Sequence, residues 1–176
     1  LGWNTFFRQS FLAYENFPYL PTRVAREHRE QYLIYCEKGE FNARVSGRFL
    51  HLAQSRADFP CVGDWVAVET RDHNSPATIH AVLPRKSGFS RKAVLAGGPA
   101  YGPGRSEEQV LAANIDIVFL VCGLDADFNP RRIERYLASV WDGGARPVII
   151  LNKADLCPAV ERCLAEISDI AFGSPI

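Results

Sequence analysis

Apolar and polar positions alternate at strand spacing from residue 22 to 84, and from residue 115 onward apolar positions recur at helical spacing between short apolar runs. Residues 22–28 and 31–36 are rich in β-forming side chains around a short turn at Arg29-Glu30, and 41–45 follows the turn Lys38-Gly39. Residues 48–51 either continue that strand after Gly47 or begin a short helix. The clearest strand is 62–69, where Trp65, Ala67 and Glu69 alternate with Val66 and Val68. The turn-rich stretch 71–76 leads into a last run at 78–83. Five short strands in about 65 residues predict a small β-barrel, such as the five-stranded OB-fold that commonly binds oligonucleotides. A barrel of SH3 type would give much the same pattern.

Ahead of the barrel, Trp3, Phe6, Phe7, Phe11, Tyr14 and Phe17 include several positions at helical spacing. They predict a short amphipathic helix whose aromatics pack on the next domain, with partner binding as the alternative. Pro18 and Pro21 then punctuate the chain. Beyond the barrel, 85–92 is a basic connector and 97–104 is Gly/Pro-rich without periodicity, so it is expected to be mobile. The second half predicts a buried strand at 115–121 and a helix opened by Asn129 and Pro130, a cap and a first-turn residue. Ile133, Tyr136, Leu137, Val140 and Trp141 would form its core-facing stripe. Gly143-Gly144 stop it, a strand at 147–151 follows, then a helix at 158–167 and a further strand entered at 170–172. Strand, helix, strand, helix implies parallel pairing. Two parallel strands are a poor sheet, so this half reads as the truncated start of an α/β parallel-sheet domain. The expected divisions are 1–21, 22–84, 85–108 and 109–176.

Composition is that of an ordinary globular chain, 47% hydrophobic and 23% charged over 176 residues. No apolar run approaches the roughly 20 residues of a membrane helix, and Leu1-Gly2-Trp3-Asn4 lacks the basic lead of a signal peptide. No membrane partner is expected. The five cysteines are odd in number and contain no C-x-x-C pair, so reduced cytosolic thiols are expected and a zinc site is not. A net charge of zero conceals a basic first part, 14 Lys+Arg against 9 Asp+Glu in residues 1–106, and an acidic remainder, 6 against 11. Basic charge suits nucleic acid. Arg85, Lys86, Arg91 and Lys92, with Phe89 among them, are the candidate RNA contacts, an ordinary solvated linker being the alternative.

The sharpest chemical signal is Asn152-Lys153-Ala154-Asp155, placed directly after the 147–151 strand. Ligands of open α/β sheets bind at that carboxyl edge. The Asp155 carboxylate can accept from the N1–H and exocyclic amino group of guanine. Adenine would leave it unpaired, a strong basis for discrimination. Asn152 can bond the base edge or tie loops together, and the Lys153 stem can lie along the base. The alternative is a charged turn with no ligand. Gly104-Arg105-Ser106 is not a phosphate loop: Pro99 stands where Gly is needed and Arg105 where Lys is needed.

Several blocks in order resemble the ribosome small subunit-dependent GTPase A family, which are circularly permuted bacterial GTPases. They are Leu1-Gly2-Trp3-Asn4, Val62-Gly63-Asp64-Trp65-Val66, Ser90-Arg91-Lys92, the run from Gln109 to Asp116, Arg135-Tyr136-Leu137 and Leu151-Asn152-Lys153-Ala154-Asp155-Leu156. The resemblance implies an N-terminal OB-fold and then a GTPase domain in which the guanine motif precedes the phosphate loop. It implies GTP hydrolysis with magnesium during late maturation of the small ribosomal subunit, in the cytoplasm, with that subunit and its RNA as partners. It also implies a C-terminal zinc domain. Of the family's functional residues, Asn152, Lys153 and Asp155 have positions here, as guanine-specificity residues. The phosphate loop, switches, catalytic residues and metal ligands do not, so the expectation is a GTPase whose present segment is inactive and holds no tightly bound cofactor. The other two functions the sequence allows are a non-enzymatic OB-fold RNA-binding module and an interaction protein using the aromatic helix.

Overall fold

The computed structural model describes residues 1–28, 31–70, 75–94 and 106–176, with side chains throughout these except at 91–94 and 106–108. The Arg29-Glu30 turn, most of the 71–76 turn and the Gly/Pro-rich stretch lie outside the described residues. The chain forms two compact units, Leu1–Asn114 and Ile115–Ile176. The division falls at 114/115, later than the 108/109 expected from composition.

In the first unit, β1 (Leu20–His28), β2 (Gln31–Cys36), β3 (Gly39–Val45), β4 (Trp65–Glu69) and β5 (Ala77–Val82) close into a barrel in the order β1-β2-β3-β5-β4. β3 runs parallel to β5, and β4 returns antiparallel to β1. This five-stranded Greek-key closure is that of the OB-fold, which settles the choice that strand count leaves open. Alternate residues of β2 and β3 (Tyr32, Ile34, Phe41 and Ala43) point into the barrel with Val24, Val66, Val68 and Ile79. Residues 48–51 are helical, within α2 (Gly47–Leu52), because the Ser46 hydroxyl accepts from the Phe49 amide at 3.1 Å and caps the turn.

β4 is buried on both faces. Val66 and Val68 face the barrel interior, while Trp65 and Ala67 face outward onto the N-terminal aromatics. Those aromatics sit on and around α1 (Thr5–Phe11), which Asn4 caps by accepting from the Phe6 and Phe7 amides. Trp3 meets Trp65 edge-on at 4.7 Å, and Phe7 and Phe11 are buried beside it. The helix therefore packs on the barrel; Phe6 and Phe17 stay exposed.

Residues 62–64 are not part of β4, as the alternation suggested. Gly63 turns with φ +91°, and Asp64 is wholly buried below it. Arg85 meets the Asp64 carboxylate with Nε at 2.9 Å from Oδ1 and Nη2 at 2.7 Å from Oδ2. The same guanidinium donates to the carbonyls of Ala57 and Phe59, and the Cys61 amide donates to Asp64 Oδ2 at 2.9 Å. Burial works against the Arg85 charge, and the Asp64 carboxylate more than offsets it, so the Arg85 pKa is raised. Burial, followed by the nearby Asp64 charge, pushes the Cys61 thiol up to about 12.

The connector expected at 85–108 holds one strand and the first three residues of another. β6 (Gly88–Val94) pairs antiparallel with β7 (Ser106–Ala113). Asn114, in the left-handed region at φ 55°, fastens this pair to the barrel. Its amide donates to Ser87 O at 2.8 Å, its Oδ1 accepts from the Lys86 amide at 2.8 Å, and its Nδ2 donates to Gly63 O at 3.1 Å. Arg23 reaches Gly63 O and Asn114 O from the other side.

In the second unit, β8 (Ile117–Gly123) and β9 (Arg146–Asn152) are parallel, joined through α3 (Pro130–Asp142). Asn129 caps α3, and Ile133, Leu137 and Val140 are buried as expected. Tyr136 and Trp141 are half-exposed, each at 47%, so the stripe is narrower than the helical spacing suggested. α4 (Val160–Ser168) follows β9. Residues 170–172 form a turn rather than a strand, with Phe172 at φ 50°, and Pro175 O then accepts the Ile149 amide at 2.8 Å beside β9. No helix among the described residues is long and apolar enough to cross a membrane.

Candidate functional site

β9 delivers Asn152 to the carboxyl edge of the parallel pair, in register with Gly123 of β8. Lys153 adopts φ 59°, ψ 38°, a left-handed step that breaks the strand, and Ala154–Leu156 then makes a single 3-10 turn containing Asp155. The Leu156 amide donates to Lys153 O at 3.0 Å, and the Cys157 amide to Ala154 O at 3.2 Å. All four residues of the motif are exposed. The structure thus gathers Asn152, Lys153 and Asp155 on one open turn.

A second loop stands against this turn, and the sequence pattern did not single it out. The Leu124 amide donates to Asn152 O at 2.8 Å, which ties the end of β8 to the motif. Asp125 Oδ2 accepts from Lys153 Nζ, and Asp125 Oδ1 accepts from the Asp127 amide at 3.0 Å. The Lys153 hydrogen bond, chiefly, holds the Asp125 carboxyl below its usual range. A carboxylate with a lowered pKa keeps its charge at all pH values above the ordinary range, so this pair persists through neutral pH. The Gly123 position is close: a Cβ there would lie 2.9 Å from Asp125 Oδ1. Asp127 in turn receives the Arg132 guanidinium from α3 at 2.9 and 2.7 Å. A signal for the loop exists, since Asp125-x-Asp127 follows the apolar run at 117–121 and precedes the Asn129-Pro130 cap; that run is not the buried strand expected at 115–121, because Ile117, Phe119 and Val121 are exposed. The two carboxylates, spent on Lys153 and Arg132, fix the loop and orient the Lys153 stem.

The four candidate RNA cations fare differently. Arg85 is committed to Asp64 and to two carbonyls inside the barrel unit. Lys86 lies just before β6, with its backbone held by Asn114. Arg91 and Lys92 belong to β6, and their side chains lie outside the described residues. The barrel unit also carries a run of stacked rings. Phe17 stacks on Tyr19 at 5.2 Å and 9°, and Tyr19 on His80 at 4.5 Å and 13°. The three rings border an open cavity of about 490 Å³, and exposed Arg48 and half-buried Phe49 of α2 also line it.

Residues 82–172 match the family described as RsgA GTPase. The chain is 45% identical, over all of its length and 48% of the relative's, to a small ribosomal subunit biogenesis GTPase RsgA of Opitutus terrae. It thus spans about half the length of the curated relatives it matches. Among solved structures it is similar to YjeQ from Thermotoga maritima, with a TM-score of 0.62 and 23% identity over 90% of this chain and 50% of that one. It is also similar to YloQ, described as a circularly permuted GTPase, with a TM-score of 0.56 and 16% identity over 92% of this chain and 52% of that one.

Proposed function

The chain belongs to the RsgA GTPase family, and on that premise we propose that it supplies the base-reading corner and RNA-facing barrel of a full-length GTPase that acts on the small ribosomal subunit. The observation that carries the guanine function is the exposed left-handed turn at the carboxyl end of β9, which presents Asn152, Lys153 and Asp155 together. Asp155 accepts from guanine N1–H and the 2-amino group, Asn152 bonds the base edge or the loop beside it, and Lys153, held by Asp125, lies along the ring. GTP is the substrate of the full-length protein, and magnesium would serve its phosphates. Among the described residues no His, Cys, Asp or Glu cluster is arranged to hold a metal. These residues select the base, and hydrolysis belongs to parts outside this sequence. A cytoplasmic location goes with a ribosomal substrate.

In the full-length protein, Asp155→Asn should shift preference from GTP towards XTP by about a hundredfold, equal to about 2.7 kcal/mol. The amide can donate to the carbonyl that xanthine carries where guanine has its amino group. Paired titrations of wild type and variant with both nucleotides check this. Undiminished GTP preference in the variant would mean that Asp155 does not read the base.

The barrel unit is the RNA-facing part. The Phe17–Tyr19–His80 stack supports this, since aromatic faces stack unpaired bases. Arg48, Lys86, Arg91 and Lys92 are its phosphate partners, and Arg85 is not among them. Replacing these four with Ala should weaken binding to small-subunit RNA and reduce the salt slope by about one for each phosphate no longer neutralised. A slope unchanged by the four substitutions would remove them from the interface.

A further inference from the structure

We propose that Cys157 and Cys163 form a reversible disulfide site that resets the turn carrying Asp155. Their Sγ atoms lie 3.9 Å apart, and both side chains are half-buried. A disulfide requires about 2.05 Å, so the two sulfurs must approach by about 1.9 Å. Cys157 closes the single turn Ala154–Leu156, and Cys163 stands in the first half of the nine-residue helix α4. The turn closes with two backbone hydrogen bonds, Leu156 N–H to Lys153 O and Cys157 N–H to Ala154 O, and its residues are exposed. The helix has a continuous hydrogen-bonded backbone and a buried anchor in Ile167. When the sulfurs close, the turn yields rather than the helix. Asp155 lies two residues from Cys157, inside the segment that moves.

The oxidant is a hydroperoxide. The Cys157 thiolate attacks the O–O bond, an S–O bond forms, and with hydrogen peroxide the leaving oxygen departs as water after taking a proton. The Cys163 sulfur then attacks the Cys157 sulfur: an S–S bond forms, the S–O bond breaks, and the departing hydroxide takes the Cys163 proton as water. Two thiols and one hydrogen peroxide give one disulfide and two waters, a two-electron oxidation that a dithiol reverses. Burial, and then the hydrogen bond with Cys157, raise the Cys163 pKa, and the same steps balance with the two cysteines exchanged.

The effect on nucleotide rests on the guanine function proposed above; the disulfide does not. The test treats the full-length protein with hydrogen peroxide, blocks remaining thiols and maps peptides, then follows amide hydrogen exchange and titration with a fluorescent guanine nucleotide. A linked Cys157–Cys163 peptide lighter by two hydrogens is expected, with exchange at Leu156 and Cys157 faster by about tenfold. Guanine affinity should fall by about tenfold, as expected when one charge-assisted hydrogen bond is broken. Dithiothreitol should reverse all three, and Cys157→Ser and Cys163→Ser should each abolish them. Absence of the linked peptide overturns the proposal, as does a linked peptide with unchanged exchange at Leu156 and Cys157. If exchange shifts as stated but the reduced protein binds no guanine nucleotide, the guanine function fails and the disulfide site stands.

Discussion

Asp64→Ala should destabilise the barrel unit by about 3–5 kcal/mol, the cost of leaving one member of a buried ion pair alone. Asp64 has no exposed side-chain surface, and its carboxylate takes two bonds from Arg85 and one from the Cys61 amide. The substitution strands a guanidinium that also fastens the carbonyls of Ala57 and Phe59. Small domains have about 5–15 kcal/mol in total, so the loss is a large share of it. Arg85→Ala should be comparably severe, since it leaves a carboxylate without its counter-charge. An apolar pair of similar volume, Asp64→Leu with Arg85→Met, should recover much of the loss. Urea unfolding, followed by the fluorescence of the Trp3–Trp65 cluster, measures all three. If Arg85→Ala costs under about 1 kcal/mol and weakens RNA binding instead, Arg85 returns to the RNA interface and the buried pair loses its structural role.

Gly63→Ala should be similarly damaging, for a steric reason. At φ +91° an L-residue is strained, and its Cβ would sit 2.0 Å from Ala113 O, a backbone atom held by its own strand. The left-handed conformation costs about 1–2 kcal/mol, and forcing apart a packed backbone adds about 1–3 kcal/mol. Displacing Ala113 also pulls on the Ala113 amide bond to Val62 O and on the Asn114 fastening. The expected loss is about 2–5 kcal/mol in the same urea measurement, together with faster amide exchange in β6 and β7. A variant as stable as wild type would show that β7 does not approach the barrel as closely as this geometry has it. Gly39, at φ +112° with open space around it, is the control for conformation alone.

The sequence by itself determined the type of several elements and the place of the Asn152–Asp155 turn. β2, β3 and β5 follow from alternation, because a half-buried strand puts every second residue inside. α3 follows from Asn129, Pro130 and the Ile133–Leu137–Val140 stripe, because caps and helical period are local properties. Asn152, Lys153 and Asp155 were legible because their spacing on one turn is fixed by covalent connection. What required tertiary structure was every choice made between distant segments. Strand count could not distinguish an OB-fold from another barrel, since the parallel pairing of β3 with β5 joins residues more than 30 positions apart. Arg85 read as a solvent-facing cation because nothing local reveals the buried Asp64 twenty-one positions earlier. Residues 85–108 read as a connector because polar side chains and glycines hide the pairing of β6 with β7, which depends on backbone hydrogen bonds and on the Gly63–Asn114 contact. Asp125 escaped notice for the same reason: its partner, Lys153, lies 28 residues away, and only the side-by-side alignment of β8 and β9 brings the two together.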